Sequence, residues 1–91
     1  MYLIYWLILM SRRSKAQIIT EILTICHGSG ASKTMIAQQA NLNLNTAKSY
    51  LEILTKWGLI EDIKGNFILY KTTSKGEKSL ECLRKIETFY S

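Results

Sequence analysis

The stretch Asn41-Leu42-Asn43-Leu44-Asn45-Thr46-Ala47-Lys48-Ser49-Tyr50-Leu51-Glu52-Ile53-Leu54-Thr55-Lys56-Trp57-Gly58-Leu59-Ile60 constrains the fold more than any other part of the chain. It reads as a tight polar turn followed by a helix of about four turns that ends at a glycine. Asn43 suits the N-cap, because its side-chain oxygen can accept an otherwise unpaired amide of the first helical turn. Gly58 suits the position just past the helix, where a left-handed backbone costs glycine nothing. Between them Ala47, Leu51 and Leu54 recur at i, i+4 and i+7, and Tyr50, Ile53 and Trp57 widen that apolar face to one side. The opposite face carries Asn45, Lys48, Ser49, Glu52 and Lys56. This polar stripe is short, rich in hydrogen-bonding groups and free of acids before Glu52, which suits a helix that enters a DNA major groove. A solvated face of an ordinary core helix has the same look in isolation, so the neighbouring segments decide.

Upstream, Ser14 and Gln17 have the spacing of a capping box and predict a helix start. Ile18, Ile22 and Ile25 then form one apolar line and Ile19, Leu23 and Cys26 its neighbour, so this helix is mostly buried. It should stop around His27, where Gly28-Ser29-Gly30 supplies flexible backbone. His27 reads as a residue near a helix C-terminus, favourable to the dipole when protonated, and the chain has no second histidine to complete a metal site. The run Gly28 to Thr34 superficially resembles a phosphate-binding loop, but Ser32 stands where the motif requires glycine, and a helix rather than a strand precedes it. Ser32 instead caps a short second helix through about Ala40, with Met35, Ile36 and Ala40 inward and Lys33, Gln38 and Gln39 outward.

A short helix, a turn and a longer helix with an outward polar face make a helix-turn-helix. Leu59 to Ile63 and Asn66 to Tyr70 are short β-prone runs joined by the turn signal Lys64-Gly65-Asn66, which adds a hairpin wing with a small, lysine-bearing tip. Thr73 or Ser74 caps a last helix whose apolar positions Leu80, Leu83, Ile86, Phe89 and Tyr90 recur at spacings of three and four. That stripe can pack on its own domain, but it offers more apolar surface than one small domain needs to cover, and it predicts a homodimer through this helix. The expected fold is therefore mainly α with a small β-hairpin: a winged helix-turn-helix of a three-helix core, a wing and a C-terminal helix. Residues 1–10 form an apolar extension and residues 11–91 the domain.

At 91 residues the chain supports one small domain, and the absence of proline agrees with a helix-rich fold. Its formal net charge of +5 favours a polyanionic partner. The charge is also placed: no Asp or Glu occurs from Ile22 to Leu51, which holds Lys33 and Lys48, and Lys64 and Lys71 extend the positive sign along the wing. Candidate DNA contacts are Lys33, Asn43, Asn45, Thr46, Lys48, Ser49, Lys64 and Lys71. Asn pairs bidentately with adenine, Lys donates to guanine and a threonine methyl touches thymine. Cys26 and Cys82 lie far apart and in no metal-ligand spacing, and they read as buried or semi-buried thiols of an intracellular, cytoplasmic protein, with a disulfide as the lesser alternative. No His-carboxylate, Cys-His or metal constellation has plausible spacing, so neither an enzyme nor a cofactor is expected.

The first ten residues, Met1 to Met10, carry no charge. As a helix they would span roughly 15 Å, about half the hydrocarbon core, and they lack the basic start and cleavage site of a signal peptide. They are an extension that packs on the domain or across a dimer, an interfacial membrane contact supported by Arg12, Arg13 and Lys15, or a leader to a start at Met10.

The pieces Arg13-Ser14-Lys15, Ala40-Asn41-Leu42, Tyr50-Leu51-Glu52-Ile53-Leu54, Gly58-Leu59-Ile60 and Thr73-Ser74-Lys75-Gly76 together resemble the small archaeal winged-helix proteins. The resemblance covers residues 12 to about 88; the chain departs from it in its apolar N-terminus, in Ala47 where a larger aliphatic is usual, and in a short C-terminal helix. It implies double-stranded DNA binding, often as a homodimer joined through the C-terminal helix. The reading to be tested is a DNA-binding transcriptional regulator. A non-specific architectural DNA binder and a winged helix that binds another protein are the alternatives.

Overall fold

The computed structural model describes residues 14–90, with side chains as far as Lys85; the apolar extension Met1 to Met10 lies outside the described residues. The first helix, α1 (Lys15–Ile25), opens on the expected capping box. The Ser14 hydroxyl accepts the Gln17 amide at 3.2 Å and Gln17 Oε1 accepts the Ser14 amide at 2.8 Å, so two donors without intrahelical partners are satisfied reciprocally. Ile22, Leu23 and Cys26 are fully buried, with Ile18, Ile19 and Ile25 packed half-buried against them.

The second helix, α2 (Lys33–Gln39), is capped by Ser32, whose Oγ accepts the Met35 amide at 3.2 Å. Ile36, Ala37 and Ala40 form its buried side. Met35, expected inward, is 44% exposed, because the sector shared by those three residues puts it on the far side of the helix. Asn41 then takes φ +55, a left-handed conformation that asparagine tolerates better than most residues, and turns the chain toward the third helix.

That helix, α3 (Leu44–Lys56), is capped by Asn43, whose Oδ1 accepts the Thr46 amide at 2.8 Å. Ala47, Leu51 and Leu54 are buried as expected, and Tyr50 packs half-buried beside them. The expected widening of this face goes no further: Ile53 and Trp57 are 44% and 53% exposed. At about 100° per residue both lie well round the helix from the Ala47–Leu51–Leu54 line, on a flank that no other element among the described residues covers. Gly58, at φ +75, ends the helix.

Strands β1 (Ile60–Lys64) and β2 (Ile68–Thr72) pair antiparallel, with Ile60 opposite Thr72 and Lys64 opposite Ile68. The second strand begins two positions later than its β-prone run suggested, because the loop takes Gly65, Asn66 and Phe67, and the Gly65 amide donates to the Phe67 carbonyl at 3.2 Å. The tip is thus not small: it presents Phe67, 76% exposed. Ala31 adds one rung to the other edge of β2, exchanging amide–carbonyl bonds of 3.0 and 2.8 Å with Tyr70.

The last helix, α4 (Ser74–Tyr90), packs against α1 and is joined to α3 by the Thr-Ser-Lys-Gly segment. Thr73 caps α4 by accepting the Gly76 amide at 3.1 Å. Its hydroxyl also donates to the Gly58 carbonyl at 2.6 Å and its amide to the Leu59 carbonyl at 3.0 Å. Lys75 Nζ reaches the Trp57 carbonyl at 2.9 Å. The carbonyls of Ile53, Leu54 and Thr55 in the last turn of α3 accept the amides of Trp57, Leu59 and Gly58, and the carbonyls of those three residues, just past the helix, are satisfied in turn by the start of α4, which fixes one helix against the other. The whole is a winged helix-turn-helix with a three-helix core, a two-stranded wing and a C-terminal helix.

Thr72 does the same for α1. Its amide donates to the Cys26 carbonyl at 3.1 Å, and its buried hydroxyl to the Leu23 carbonyl at 2.7 Å. Thr72→Val keeps the shape and removes the hydroxyl donor, so it should cost about 1–3 kcal/mol, the desolvation penalty of one buried carbonyl. Chemical denaturation checks this; a neutral result would mean that water reaches Leu23.

Candidate nucleic-acid interface

The outward face of α3 carries Asn45, Lys48, Ser49, Glu52 and Lys56, all exposed, with Thr46 half-buried at its edge. Asn45 is exposed, its side-chain amide offering one acceptor and two donors, and the exposed Lys48 follows three positions later on the same face of the helix. Ser49 donates its hydroxyl proton to the Asn45 carbonyl at 3.1 Å, which leaves its oxygen as an acceptor. Asn43 is largely committed to capping, since its oxygen holds the Thr46 amide and only its NH₂ is left for a ligand.

A groove of about 410 Å³ runs between α3, the start of α2 and the wing. Lys33, Lys48 and Lys56 line it together with Glu52, Asp62 and Tyr70, above Leu51. The helix-turn-helix thus brings Lys33 and Lys48, far apart in sequence, to one opening. Lys33 stands in the first turn of α2, at the positive end of the helix dipole, and no acid stands in the first turn of α2 or α3. A cation there is locally unfavourable by about 0.3–1 kcal/mol, a placement that folding alone does not explain.

The wing divides the remaining candidates. Side chains alternate along a strand, so Lys64 shares the face of Asp62 and Tyr70, toward the groove. Lys71 pairs with Glu61 on the reverse face and does not join the groove cluster. Asp62 is not among the residues that the sequence marks, although its place two positions after the apolar Ile60 sets both on one face of the strand. It and Glu52 make the groove mixed in sign: three lysines against two carboxylates.

The proposed dimerisation set also separates. Leu80 is 4% exposed and belongs to the domain's own core, and Leu83 is packed half-buried against that core, so these two side chains are used within one chain. The side chains of Ile86, Phe89 and Tyr90 lie outside the described residues.

Elsewhere, His27 Nε2 lies 3.1 Å from Glu77 Oε1, linking the end of α1 to the first turn of α4. Burial pushes the Cys26 thiol up to about 12, which keeps it protonated and inert; Cys82, expected at least half-buried, is instead exposed on α4, and both are free thiols. Among the described residues no group of three or more His, Cys, Asp or Glu is arranged to hold a metal ion, and no helix is long and apolar enough to cross a membrane.

Comparison with known proteins agrees with this geometry. Among solved structures, Sso10a-2, a DNA-binding protein from Sulfolobus solfataricus, superimposes with a TM-score of 0.77 at 24% identity, over 86% of this chain and 82% of that one. A predicted DNA-binding transcriptional regulator from E. coli superimposes with a TM-score of 0.61 at 22% identity, over 78% and 75%. No curated protein matches by sequence. The family model described as winged helix-turn-helix matches residues 12–90, which include every described residue, and the chain belongs to that family.

Proposed function

We propose that this protein binds double-stranded DNA as a transcriptional regulator, with α3 in the major groove and the wing beside it. The observation that carries this reading is the outward face of α3. Asn45, Lys48 and Ser49 are exposed there with hydrogen-bonding capacity to spare, and Lys33 is brought alongside at the mouth of the groove. Both structural neighbours are described as DNA-binding, one of them as a transcriptional regulator, and they share this fold. The mixed sign of the groove favours base edges over phosphates at its centre: Glu52 repels a phosphate but can accept from the amino group of cytosine. Lys33 and Lys64 stand at the periphery, where the backbone would pass. A homodimer through the end of α4 would double the contacts, with Ile86, Phe89 and Tyr90 as the residues left for that interface.

The double variant Asn45→Ala, Lys48→Ala tests the assignment. It should abolish sequence preference in a selection experiment and reduce the slope of log affinity against log salt by about 1 per subunit, for the one lysine lost. Because both side chains are exposed, the melting temperature should move by no more than about 3 °C. Unchanged preference and slope would remove α3 from the interface.

A further inference from the structure

Phe67 is the most exposed large apolar side chain among the described residues, at 76%, and it stands on the three-residue tip of the wing. The flanking Ile63 and Ile68 are 42% and 53% exposed. Exposing an aromatic ring and two isoleucines on a hairpin end is unfavourable for an isolated domain, and none of the three is needed for the core. The tip is also positive. From Ile63 to Gly76 the chain has no acid and three lysines, of which Lys64 adjoins the loop; the wing's two carboxylates, Glu61 and Asp62, lie toward its root.

Resting on the DNA reading above, we propose that the wing tip is a wedge. Phe67 enters the minor groove and inserts its ring at a base step, Lys64 holds the adjoining phosphate, and Ile68 lies against the sugar edge. Shape and charge choose this occupant over a second protein surface. The apolar group is a narrow convex tip, not a face: a single ring projects from a three-residue loop, and an edge-on aromatic ring, unlike the two-stranded ribbon behind it, is thin enough for a groove about 6 Å wide. An apolar wedge beside a cation is the chemistry by which minor-groove proteins unstack and kink a duplex. With α3 in the major groove, the hairpin at its side falls on the next minor groove. The wing would then deform DNA and favour flexible pyrimidine–purine steps, rather than only lie along the backbone.

The test compares the full-length protein with Phe67→Ala, Phe67→Leu and Lys64→Ala. Affinity for random-sequence duplex is measured at two salt concentrations, with linking number after topoisomerase relaxation of a closed circular plasmid and mass in solution. The wild type should leave the plasmid underwound. Phe67→Ala should lose that effect at equal occupancy and bind roughly tenfold more weakly, as for one lost ring–base contact, with an unchanged salt slope. Phe67→Leu should retain most of the underwinding, and Lys64→Ala should lower the slope by about 1 per subunit. A wild type that binds in a salt-dependent way but neither underwinds DNA nor loses affinity on Phe67→Ala overturns the wedge and leaves DNA binding intact. A wild type without salt-dependent affinity overturns both. A Phe67→Ala protein whose mass falls from dimer to monomer overturns the wedge in favour of a contact between copies.

Discussion

Gly76→Ala should lower the melting temperature by roughly 15 °C, a loss of about 3 kcal/mol at the high end of what overpacking costs. A methyl group on Gly76 would be driven into the carbonyl oxygen of Leu59 and to 2.7 Å from the Thr72 side chain. Neither can yield cheaply. The Leu59 carbonyl accepts the Thr73 amide, and Thr72 is held by its bonds to Leu23 and Cys26. The added carbon must therefore push α4 away from the start of β1, and the bonds from Thr73 and Lys75 to the end of α3 loosen with it. Because this glycine carries no positive φ, the effect is steric and should grow with side-chain size. Thermal unfolding of Gly76→Ala and Gly76→Val against wild type tests this. A shift under about 3 °C for the alanine variant would show that α4 and β1 separate freely and that the close approach is not structural.

The same junction explains how much of the fold could be read from the residues. Helix starts were legible because a cap is a local event: Ser14, Ser32 and Asn43 each bond an amide three positions ahead. The buried line Ala47–Leu51–Leu54 was legible because helical periodicity is local too. What escaped depends on neighbours that local pattern does not contain. Ile53 and Trp57 looked like core, yet among the described residues no element lies across that flank of α3. Leu80 looked like interface, yet α4 turns it onto α1 and the domain's own core. The wing misled differently, since a β-prone phenylalanine after Asn66 reads as strand until the register makes it loop. For the site, the exposed polar face of α3 was plain in its spacing, while the approach of Lys33 to Lys48 and the intrusion of Asp62 are products of tertiary packing.

Leu51→Ala joins the two halves of the molecule, because Leu51 is at once core and floor of the groove. It is 2% exposed, packs with Ile36, Leu54 and the rest of the central cluster, and also lines the opening shared by Lys33 and Lys48. Truncation removes buried apolar surface and leaves a void, which should cost about 2–5 kcal/mol. The void adjoins the groove, so water can enter it, and the loss should lie nearer 2 than that of Leu54→Ala, whose site is fully enclosed. At a temperature where Leu51→Ala is still folded, its DNA affinity should fall as well, because α3 loses the contact that sets its roll and hence the direction of Asn45 and Lys48. Leu54→Ala should destabilise more and disturb binding less. Denaturant titration and duplex binding on the two variants separate these effects. A neutral Leu51→Ala would sink the orientation of α3, and with it the assignment of the polar face to DNA.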